Sequence, residues 1–251
     1  MNLPGIDLLS ASRPHQDSQT NLVLAGLSPA AHSLIDKRLE ERKFPPGTLI
    51  WDGSDPPGHI VFPCSGMISL RVVMRDGHEV EIATIGREGG VGFQDGPGSP
   101  GVLTRAVAQV SSRCLCISQK VFAAAAHESG EIRRVAEECR GWVLLQTQQI
   151  AACNAVHAAE HRFCRWLLRA SDALGGNMIF ATHETIAQSL GIRRTTATMI
   201  AHEMQSQGTI RYTRGKISVC DRTRLQAGAC DCYLALAPAY WPSHRLIHPT
   251  N

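Results

Sequence analysis

The side chains best suited to bind a ligand lie between residues 193 and 199. Arg193 and Arg194 are followed by the hydroxyl groups of Thr195 and Thr198, and then by Met199. A guanidinium can donate two parallel hydrogen bonds to guanine, and a threonine hydroxyl bonds to base edges or to phosphate oxygens. The chemistry that this group of side chains offers is therefore recognition of a nucleic acid.

A second basic group follows in residues 207–219. Arg211, Arg214 and Lys216 lie around Gly215, in a stretch with the pattern of a short hairpin. Cationic side chains at such a hairpin suit the phosphates of DNA, which position a protein without reporting the base sequence. The two groups together predict a helix that reads bases and a wing that contacts phosphates.

The elements that must position these side chains form a helix-turn-helix pattern over residues 181–204. Thr182 is a suitable N-cap for the first helix, and Gly191 supplies the turn, where a positive φ brings no Cβ clash. Ala187 is small where the two helices would cross. The predicted shared core consists of Ile186, Leu190, Ile192, Ile200 and Met204.

Charge is distributed unevenly along the chain. The formal net charge of the whole chain is only +3, whereas residues 157–226 hold ten Lys and Arg against five Asp and Glu. Such a local excess of positive charge indicates an anionic partner. The segment that contains the helix-turn-helix is therefore predicted to bind double-stranded DNA.

Thiol and imidazole groups form two further patterns. Cys153, His157, His161 and Cys164 recur every three or four residues along one helical face, and Cys230-x-Cys232 follows near the C-terminus. Both spacings are compatible with metal binding, and the second also with redox chemistry. Buried free thiols in a reducing compartment explain nine scattered cysteines more simply. We therefore expect no metal and no cofactor.

The other classes of function find no support in the sequence. It contains no recognisable set of nucleophile, base and orienting group, and no Walker-type phosphate-binding loop. No run reaches 18 apolar residues, and residues 1–20 lack the basic start and apolar block of a secretion signal. The chain is predicted to be a cytoplasmic protein that is not an enzyme and has no membrane partner.

The elements that precede the DNA-binding segment are short and rich in turns. Between residues 48 and 117, apolar runs alternate with turn signals at a spacing typical of an antiparallel barrel or sandwich. Asp76-Gly77 is the strongest hairpin signal among them. Before this region, residues 22–43 show a helical pattern with Ser28 and Pro29 as its cap and first-turn residues.

A heptad pattern runs from Ile132 to Val156, within the segment 127–156. A long helix with such a seam needs a partner, and a symmetric dimer is the economical one. The alternative is that the seam packs on the barrel of its own chain, and both could hold on different faces of the helix. The residues predicted to line the dimer interface are Ile132, Val135, Cys139, Trp142, Gln146, Gln149, Ile150 and Cys153.

The chain resembles the Crp–Fnr family of transcription regulators, and the resemblance covers residues 21–225. In the N-terminal half, Phe44-Pro45-Pro46-Gly47, Ile60-Val61-Phe62 and Cys64-Ser65-Gly66 resemble the first strands of the family's β-roll. The resemblance implies an α+β fold with an N-terminal antiparallel β-roll of the cyclic-nucleotide-binding, double-stranded β-helix type. A long dimerisation helix and a C-terminal winged helix-turn-helix follow. It also implies a homodimer on a palindromic operator and a contact with RNA polymerase.

This organisation predicts five segments. They are a tail (1–20), a β-roll sensor (21–126), a dimerisation helix (127–156), a winged helix-turn-helix (157–226) and a C-terminal extension (227–251). Two functions fit them. The first is a sequence-specific transcription regulator. The second is a ligand-sensing or protein-interaction regulator whose degenerate DNA domain binds without specificity.

Carried over position by position, Arg194 corresponds to the family's principal base-reading arginine. Thr195 stands where relatives often have Glu, and Met199 where they often have a second Arg, so the operator should differ from the family's usual one. Thr182 and His183 correspond to positions that contact the DNA backbone. The complete predicted DNA-binding set is Thr182, His183, Arg193, Arg194, Thr195, Thr198, Met199, Arg211, Arg214 and Lys216.

The family's nucleotide pocket is only partly present. Its phosphate-binding turn is replaced by Gly89-Gly90-Val91-Gly92-Phe93, and Pro100-Gly101 stand where the family has an adjacent Arg and Ser. Arg105 comes too late in the sequence and is assigned to a strand. Because no arginine neutralises the cyclic phosphate, the sensor is not expected to bind cyclic AMP. Another anion, or no ligand, remains open for the candidate effector pocket, which comprises Gly89, Gly90, Gly92 and Thr147.

Overall fold

The computed structural model describes residues 21–53, 57–93 and 104–236. The described chain begins with helices α1 (Leu22–Ala25) and α2 (Pro29–Ile35), which are followed by a 3₁₀ turn at Asp36–Arg38. The hydroxyl of Ser28 caps α2 by accepting a hydrogen bond from the amide of Ala31. The predicted cap and the predicted proline in the first turn are thus confirmed.

The predicted N-terminal helix is too long. Its last residues form strand β1 (Glu40–Phe44), which pairs antiparallel with strand β7 (Ser112–Ser118) and places Phe44 opposite Ser112. The charged residues of this stretch favour a helix by local propensity. Backbone hydrogen bonds to the distant strand decide the conformation instead, and they bring Phe44 into the core, where it is buried.

Antiparallel strands in two sheets form the N-terminal β-roll, which confirms the predicted fold class. The first sheet contains β1, β7 and a strand between residues 59 and 65, which lies on the other side of β7. The remaining strands are β2 (Leu49–Trp51), β3 (His59–Ser65), β4 (Ile68–Val73), β5 (Glu79–Ile85) and β6 (Thr104–Ala108). The second sheet has the order β2-β6-β4-β5.

The strongest hairpin signal is confirmed, since β4 and β5 pair antiparallel around Asp76-Gly77 with Val73 opposite Glu79. Gly77 has a φ of +86°, and its amide donates a hydrogen bond to the carbonyl of Met74 at 3.0 Å. A side chain at this position would strain the backbone. The local signal was therefore sufficient to locate the turn.

Two helices lead from the β-roll towards the C-terminal half: α3 (Gln119–Glu128) and α4 (Gly130–Val156). Ser129 caps α4 by accepting a hydrogen bond from the amide of Ile132. Trp142, near the middle of α4, is fully buried among apolar side chains of both sheets, including Phe44 and Ile85. Helix α4 therefore closes the core of the β-roll.

The heptad seam of α4 faces its own chain, which corrects the predicted dimer surface. A seam buried inside one chain cannot also contact a second chain, so the alternative interpretation holds for these residues. Gln146 illustrates the reason, because its Oε1 accepts a hydrogen bond from the amide of Thr84 on β5 at 3.0 Å. The buried seam residues are Ile132, Val135, Cys139, Trp142, Gln146, Ile150 and Cys153, and Gln149 is half-buried.

The opposite face of α4 is exposed and is not strongly charged at its centre. Leu144 is 59% exposed and Leu145 46% exposed, although both are large and apolar. The exposed small and polar residues next to them along the helix are Gly141, Gln148, Ala151, Ala152 and Ala155. These residues, together with the two leucines, are called the outer face of α4 below.

The C-terminal half begins with α5 (Ala159–Leu174), which ends at Gly175 in the left-handed conformation with a φ of +65°. Its apolar side chains, among them Phe163 and Leu167, pack against the remaining elements in one core. Those elements are β8 (Met178–Phe180), α6 (His183–Leu190), α7 (Arg194–Ser206), β9 (Ile210–Thr213), β10 (Lys216–Val219), α8 (Arg222–Gly228) and α9 (Cys232–Ala235). Among the described helices, none is both long and apolar enough to cross a lipid bilayer.

Candidate nucleic-acid interface

Helices α6 and α7 form the predicted helix-turn-helix. Thr182 caps α6 by accepting a hydrogen bond from the amide of Thr185 at 3.1 Å. Gly191 ends α6 with a φ of +61°, and the chain reverses there. Ala187 and Ala197 are both buried between the helices, so the small residues allow a close crossing. The predicted core residues also lie where expected, with Ile192 half-buried at its edge.

The N-terminal turns of α7 present the predicted base-reading side chains to solvent. Arg193 is the N-cap, and Arg194, Thr195, Thr198 and Met199 are all exposed. The side chain of Arg194 is 73% exposed, and its Nε lies 3.9 Å from Glu184. An exposed ion pair of this length stabilises a protein by at most about 1 kcal/mol, so Arg194 can leave it to bind DNA.

His183 supports the recognition helix from behind. Its ring stacks on Tyr212 of β9 with 4.1 Å between ring centroids, and its Nδ1 lies 3.1 Å from the hydroxyl of Thr198. Burial lowers the pKa of His183, and the positive charge of Arg194 lowers it further. The imidazole is therefore neutral at pH 7. Sequence reasoning did not identify Tyr212, although an aromatic residue next to Arg211 in the wing was visible.

The wing is a hairpin of β9 and β10 that pairs Thr213 with Lys216. Arg214 and Gly215 form its two-residue turn with φ values of +45° and +80°, as a type I′ turn requires. Arg214 is the exposed tip of the wing, and Arg211 is exposed on β9. Lys216 is also exposed but lies over the ring of Phe180, with Nζ 5.6 Å from the ring centroid. The wing thus carries three cations beside α7.

The basic residues between 157 and 226 differ in burial and in pairing. Arg162 and Arg165 are buried, Arg169 pairs with Glu88 at 3.3 Å, and Arg222 pairs with Asp172 at 2.6 Å. The charges of these four arginines are therefore buried or paired within the chain. Arg224 is exposed on α8 and donates a hydrogen bond to the carbonyl of Gln207. The exposed cations of α7 and the wing are Arg193, Arg194, Arg211, Arg214 and Lys216.

The glycines of the candidate effector pocket pack tightly on the β-roll. A Cβ at Gly90 would lie 2.8 Å from the Phe62 ring, and a Cβ at Gly92 would lie 2.5 Å from the carbonyl oxygen of His59. Glycine at these positions allows the loop to approach β3. Residues 100 and 101 lie outside the described residues, and Arg105 lies in β6, as expected. Ligand binding by this loop stays a prediction.

Thr147, the fourth residue of the candidate effector pocket, is half-buried on α4, and its hydroxyl donates a hydrogen bond to the carbonyl of Val143 at 2.8 Å.

The sequence did not predict a cleft that lies between the β-roll and α5. Its lining includes Gly86, Glu88 and Arg169 but none of the four predicted pocket residues. No local signal could reveal the cleft, because Glu88 and Arg169 are 81 positions apart.

A polar network connects the β-roll to the helix-turn-helix. Arg71 on β4 is almost fully buried, and it donates hydrogen bonds to Glu79 at 3.1 Å, to Gln109 at 3.2 Å and to Gln188 on α6 at 3.3 Å. Gln109 donates a further hydrogen bond to Ser189 on α6. Helix α6, which supports the recognition helix, is therefore held directly by the sensor strands.

Comparison with family models matches both halves of the chain. A model of the cyclic nucleotide-binding domain matches residues 41–129, and a model of the Crp-like helix-turn-helix domain matches residues 161–227. The first match covers most of the β-roll, and the second covers α6, α7 and the wing. A comparison with curated proteins gave no match.

Solved structures match the whole arrangement. A transcriptional regulator of the crp/fnr family from Eubacterium rectale is 20% identical and has a TM-score of 0.64; the match covers 82% of this chain and 96% of that one. FixK2 from Bradyrhizobium japonicum is 16% identical with a TM-score of 0.64 and coverages of 76% and 98%. The c-di-GMP responsive global regulator CLP from Xanthomonas campestris is 17% identical with a TM-score of 0.62 and coverages of 77% and 100%. At sequence identities of 16–20%, this structural similarity establishes the fold alone.

Proposed function

Because the chain belongs to the Crp–Fnr family of transcriptional regulators, we propose that it binds a palindromic operator in double-stranded DNA as a homodimer and regulates transcription. The observation that carries the proposal is the exposed face of α7, where Arg194 and two threonines project beside a wing with three cations. A protruding helix with arginine in its first turn fits the major groove, and the wing fits the adjacent phosphates. Such a regulator works in the cytoplasm and contacts RNA polymerase.

The dimer is proposed to form through the outer face of α4. Leu144 and Leu145 are exposed in the single chain, and the small side chains of Gly141, Ala151 and Ala152 would allow a second helix to approach closely. A two-fold axis through this face would relate two copies of α7, and a palindromic operator requires such symmetry.

Control by the sensor is proposed to act through the contact between the β-roll and α6. Arg71 and Gln109 hold Gln188 and Ser189 from the sensor side. Each such hydrogen bond contributes about 0.5–1.5 kcal/mol, so a change in β4 or β5 that breaks several of them would alter the equilibrium position of α6. A ligand controls DNA binding in this way only if it binds the two arrangements with different affinity.

The proposed function is tested by selecting binding sites from random duplex DNA and then titrating the selected site at several salt concentrations. We expect enrichment of a palindrome, and binding to it tighter than to random DNA by about 10³-fold or more. Affinity should fall steeply with salt, since phosphate contacts release counterions. Salt-dependent binding without an enriched sequence would favour the degenerate, non-specific regulator instead.

Cyclic AMP should not tighten operator binding by more than about threefold, which is a coupling free energy of roughly 0.7 kcal/mol. The physical reason is that the phosphate-binding turn has glycines where the family has charged groups, and that Arg105 is engaged in an ion pair with Glu79. Fluorescence anisotropy with labelled operator measures the effect, and 5′-AMP at the same concentration controls for general anion effects. An operator shift at micromolar cyclic AMP would contradict the prediction.

A further inference from the structure

A cluster of four metal-ligating side chains lies at the junction between α4 and the C-terminal helices. Cys153 belongs to the last turn of α4, and His157 is its C-cap residue. Cys230 lies in the connection between α8 and α9, and Cys232 is the first residue of α9. One donor atom from each of the four residues lies within 4.8 Å of all the others.

Two of the distances within the cluster match the edges of a tetrahedral site. The Sγ atoms of Cys153 and Cys230 are 3.7 Å apart, and the Sγ of Cys232 lies 3.5 Å from Nδ1 of His157. Around a tetrahedral zinc ion, with Zn–S of about 2.3 Å and Zn–N of about 2.0 Å, two sulfurs would be roughly 3.8 Å apart and a sulfur and a nitrogen roughly 3.5 Å apart. Both observed edges agree with this geometry.

The surroundings orient the donor atoms in the manner of a metal site. The other ring nitrogen of His157, Nε2, lies 3.5 Å from the carboxylate of Asp231. A carboxylate on the second nitrogen of a ligating histidine fixes the ring and its tautomer. The side-chain amide of Gln149 donates a hydrogen bond to Sγ of Cys232 at 3.1 Å, which would stabilise a thiolate at that position.

The electrostatic environment also suits an anionic centre. Cys153, Cys230 and Cys232 are buried, and buried charge needs compensation. The buried guanidinium of Arg165 lies within electrostatic range of the thiols of Cys153 and Cys230. Three thiolates, an imidazole and a divalent cation would together carry about one negative charge. A nearby buried arginine offsets that charge.

We propose that Cys153, His157, Cys230 and Cys232 form a zinc site that fastens the C-terminal segment to the end of α4. Three soft thiolates and one imidazole in tetrahedral positions are the ligand set that zinc prefers in closed structural sites. Each neutral thiol that binds the ion loses its proton to solvent. The ligands lie on both sides of the turn between α4 and α5, which joins the sensor to the DNA-binding domain. The bound ion therefore restricts movement at this turn.

The four proposed ligands come from two different sequence patterns: two from the helical stripe and two from Cys230-x-Cys232. His161 and Cys164 continue the helical stripe that begins at Cys153, yet they are engaged elsewhere: Nδ1 of His161 lies 2.7 Å from the carbonyl oxygen of Gly228, and Cys164 packs against the same glycine. Of the stripe, only Cys153 and His157 lie close to Cys230 and Cys232. Neither pattern contains the complete site.

The test measures metal content and coordination in the full-length protein purified under reducing conditions. We expect about one zinc per chain, and a cobalt-substituted protein with intense tetrahedral d–d bands and a thiolate-to-cobalt charge-transfer band. Cys230→Ser should lose the charge-transfer intensity and bind zinc at least about tenfold more weakly. Cys220→Ser, which changes an exposed cysteine outside the cluster, should leave the zinc content and both spectra unchanged.

Two further variants keep the test decisive if Cys230→Ser folds poorly. His157→Cys should retain tetrahedral cobalt with a stronger charge-transfer band. Asp231→Asn alters a carboxylate that is 88% exposed, and it should weaken zinc binding by about tenfold without affecting the fold. Absence of saturable zinc binding, a cobalt spectrum unchanged by Cys230→Ser, or a Cys153–Cys230 disulfide in place of bound metal would each overturn the proposal.

Discussion

Replacement of Leu144 and Leu145 by glutamate should convert the protein from a dimer to a monomer and weaken operator binding by at least about 100-fold. Both side chains are exposed in the single chain, so charge there costs the fold little. In a dimer through the outer face of α4, the variant would bring four carboxylates together at the interface. A monomer engages one half-site and loses the gain of about 10²–10⁴ that comes from linking two binding events.

Sedimentation and operator titration measure the two parts of this prediction. Leu49→Glu is a matched control, because Leu49 is 45% exposed on β2, away from α4; it should remain dimeric and bind DNA normally. Trp142→Asp is the informative contrast, since it buries a charge in the β-roll and should destabilise the chain by several kcal/mol rather than yield a folded monomer. An unchanged dimer in the double glutamate variant would place the interface elsewhere.

Arg194→Ala should cost about 1–3 kcal/mol of binding free energy on the preferred operator and relax base choice at one position per half-site. Arg194 starts α7, its side chain is 73% exposed, and only a loose ion pair with Glu184 holds it. It is therefore free to donate both of its parallel hydrogen bonds to guanine. Site selection repeated with the variant measures the change in preference directly.

Changes at the wing should give a different result. Arg214→Ala and Lys216→Ala are expected to weaken binding to all sequences alike and to reduce the salt slope by about one unit per charge in each protomer. Arg75→Ala, which removes an exposed charge from the β4–β5 hairpin, should leave the site preference unchanged. If Arg194→Ala also leaves the preference unchanged and only weakens binding, Arg194 contacts phosphate, and specificity arises from Thr195, Thr198 and DNA bending.

The helix-turn-helix and its wing were predictable because their determinants are local. The cap at Thr182, the positive φ at Gly191 and the apolar spacing of the two helices act within a few residues of each other. The turn at Asp76-Gly77 was predictable for the same reason. The prediction of a helix over residues 22–43 was wrong at its C-terminal end, where the determinants are not local. Strand β1 forms there only because it pairs with β7.

The packing of α4 shows that periodicity alone does not identify the partner of a helix. A heptad seam predicts that one helical face is buried, but it does not tell whether the partner is a second chain or another part of the same chain. Trp142 and Gln146 find their partners on the β-roll. The less apolar outer face, with its small residues and two exposed leucines, is the face that the single chain leaves exposed.

By itself, the sequence determined the order of the two domains and the location of the helix-turn-helix and the wing. These depend on residue type and short-range spacing. The tertiary structure alone decided which arginines and which side of α4 are exposed, how α6 is held by Arg71 and Gln109, and which cysteines lie close together. Cys153 and Cys230 are 77 positions apart, and only the packing of distant segments brings such side chains together.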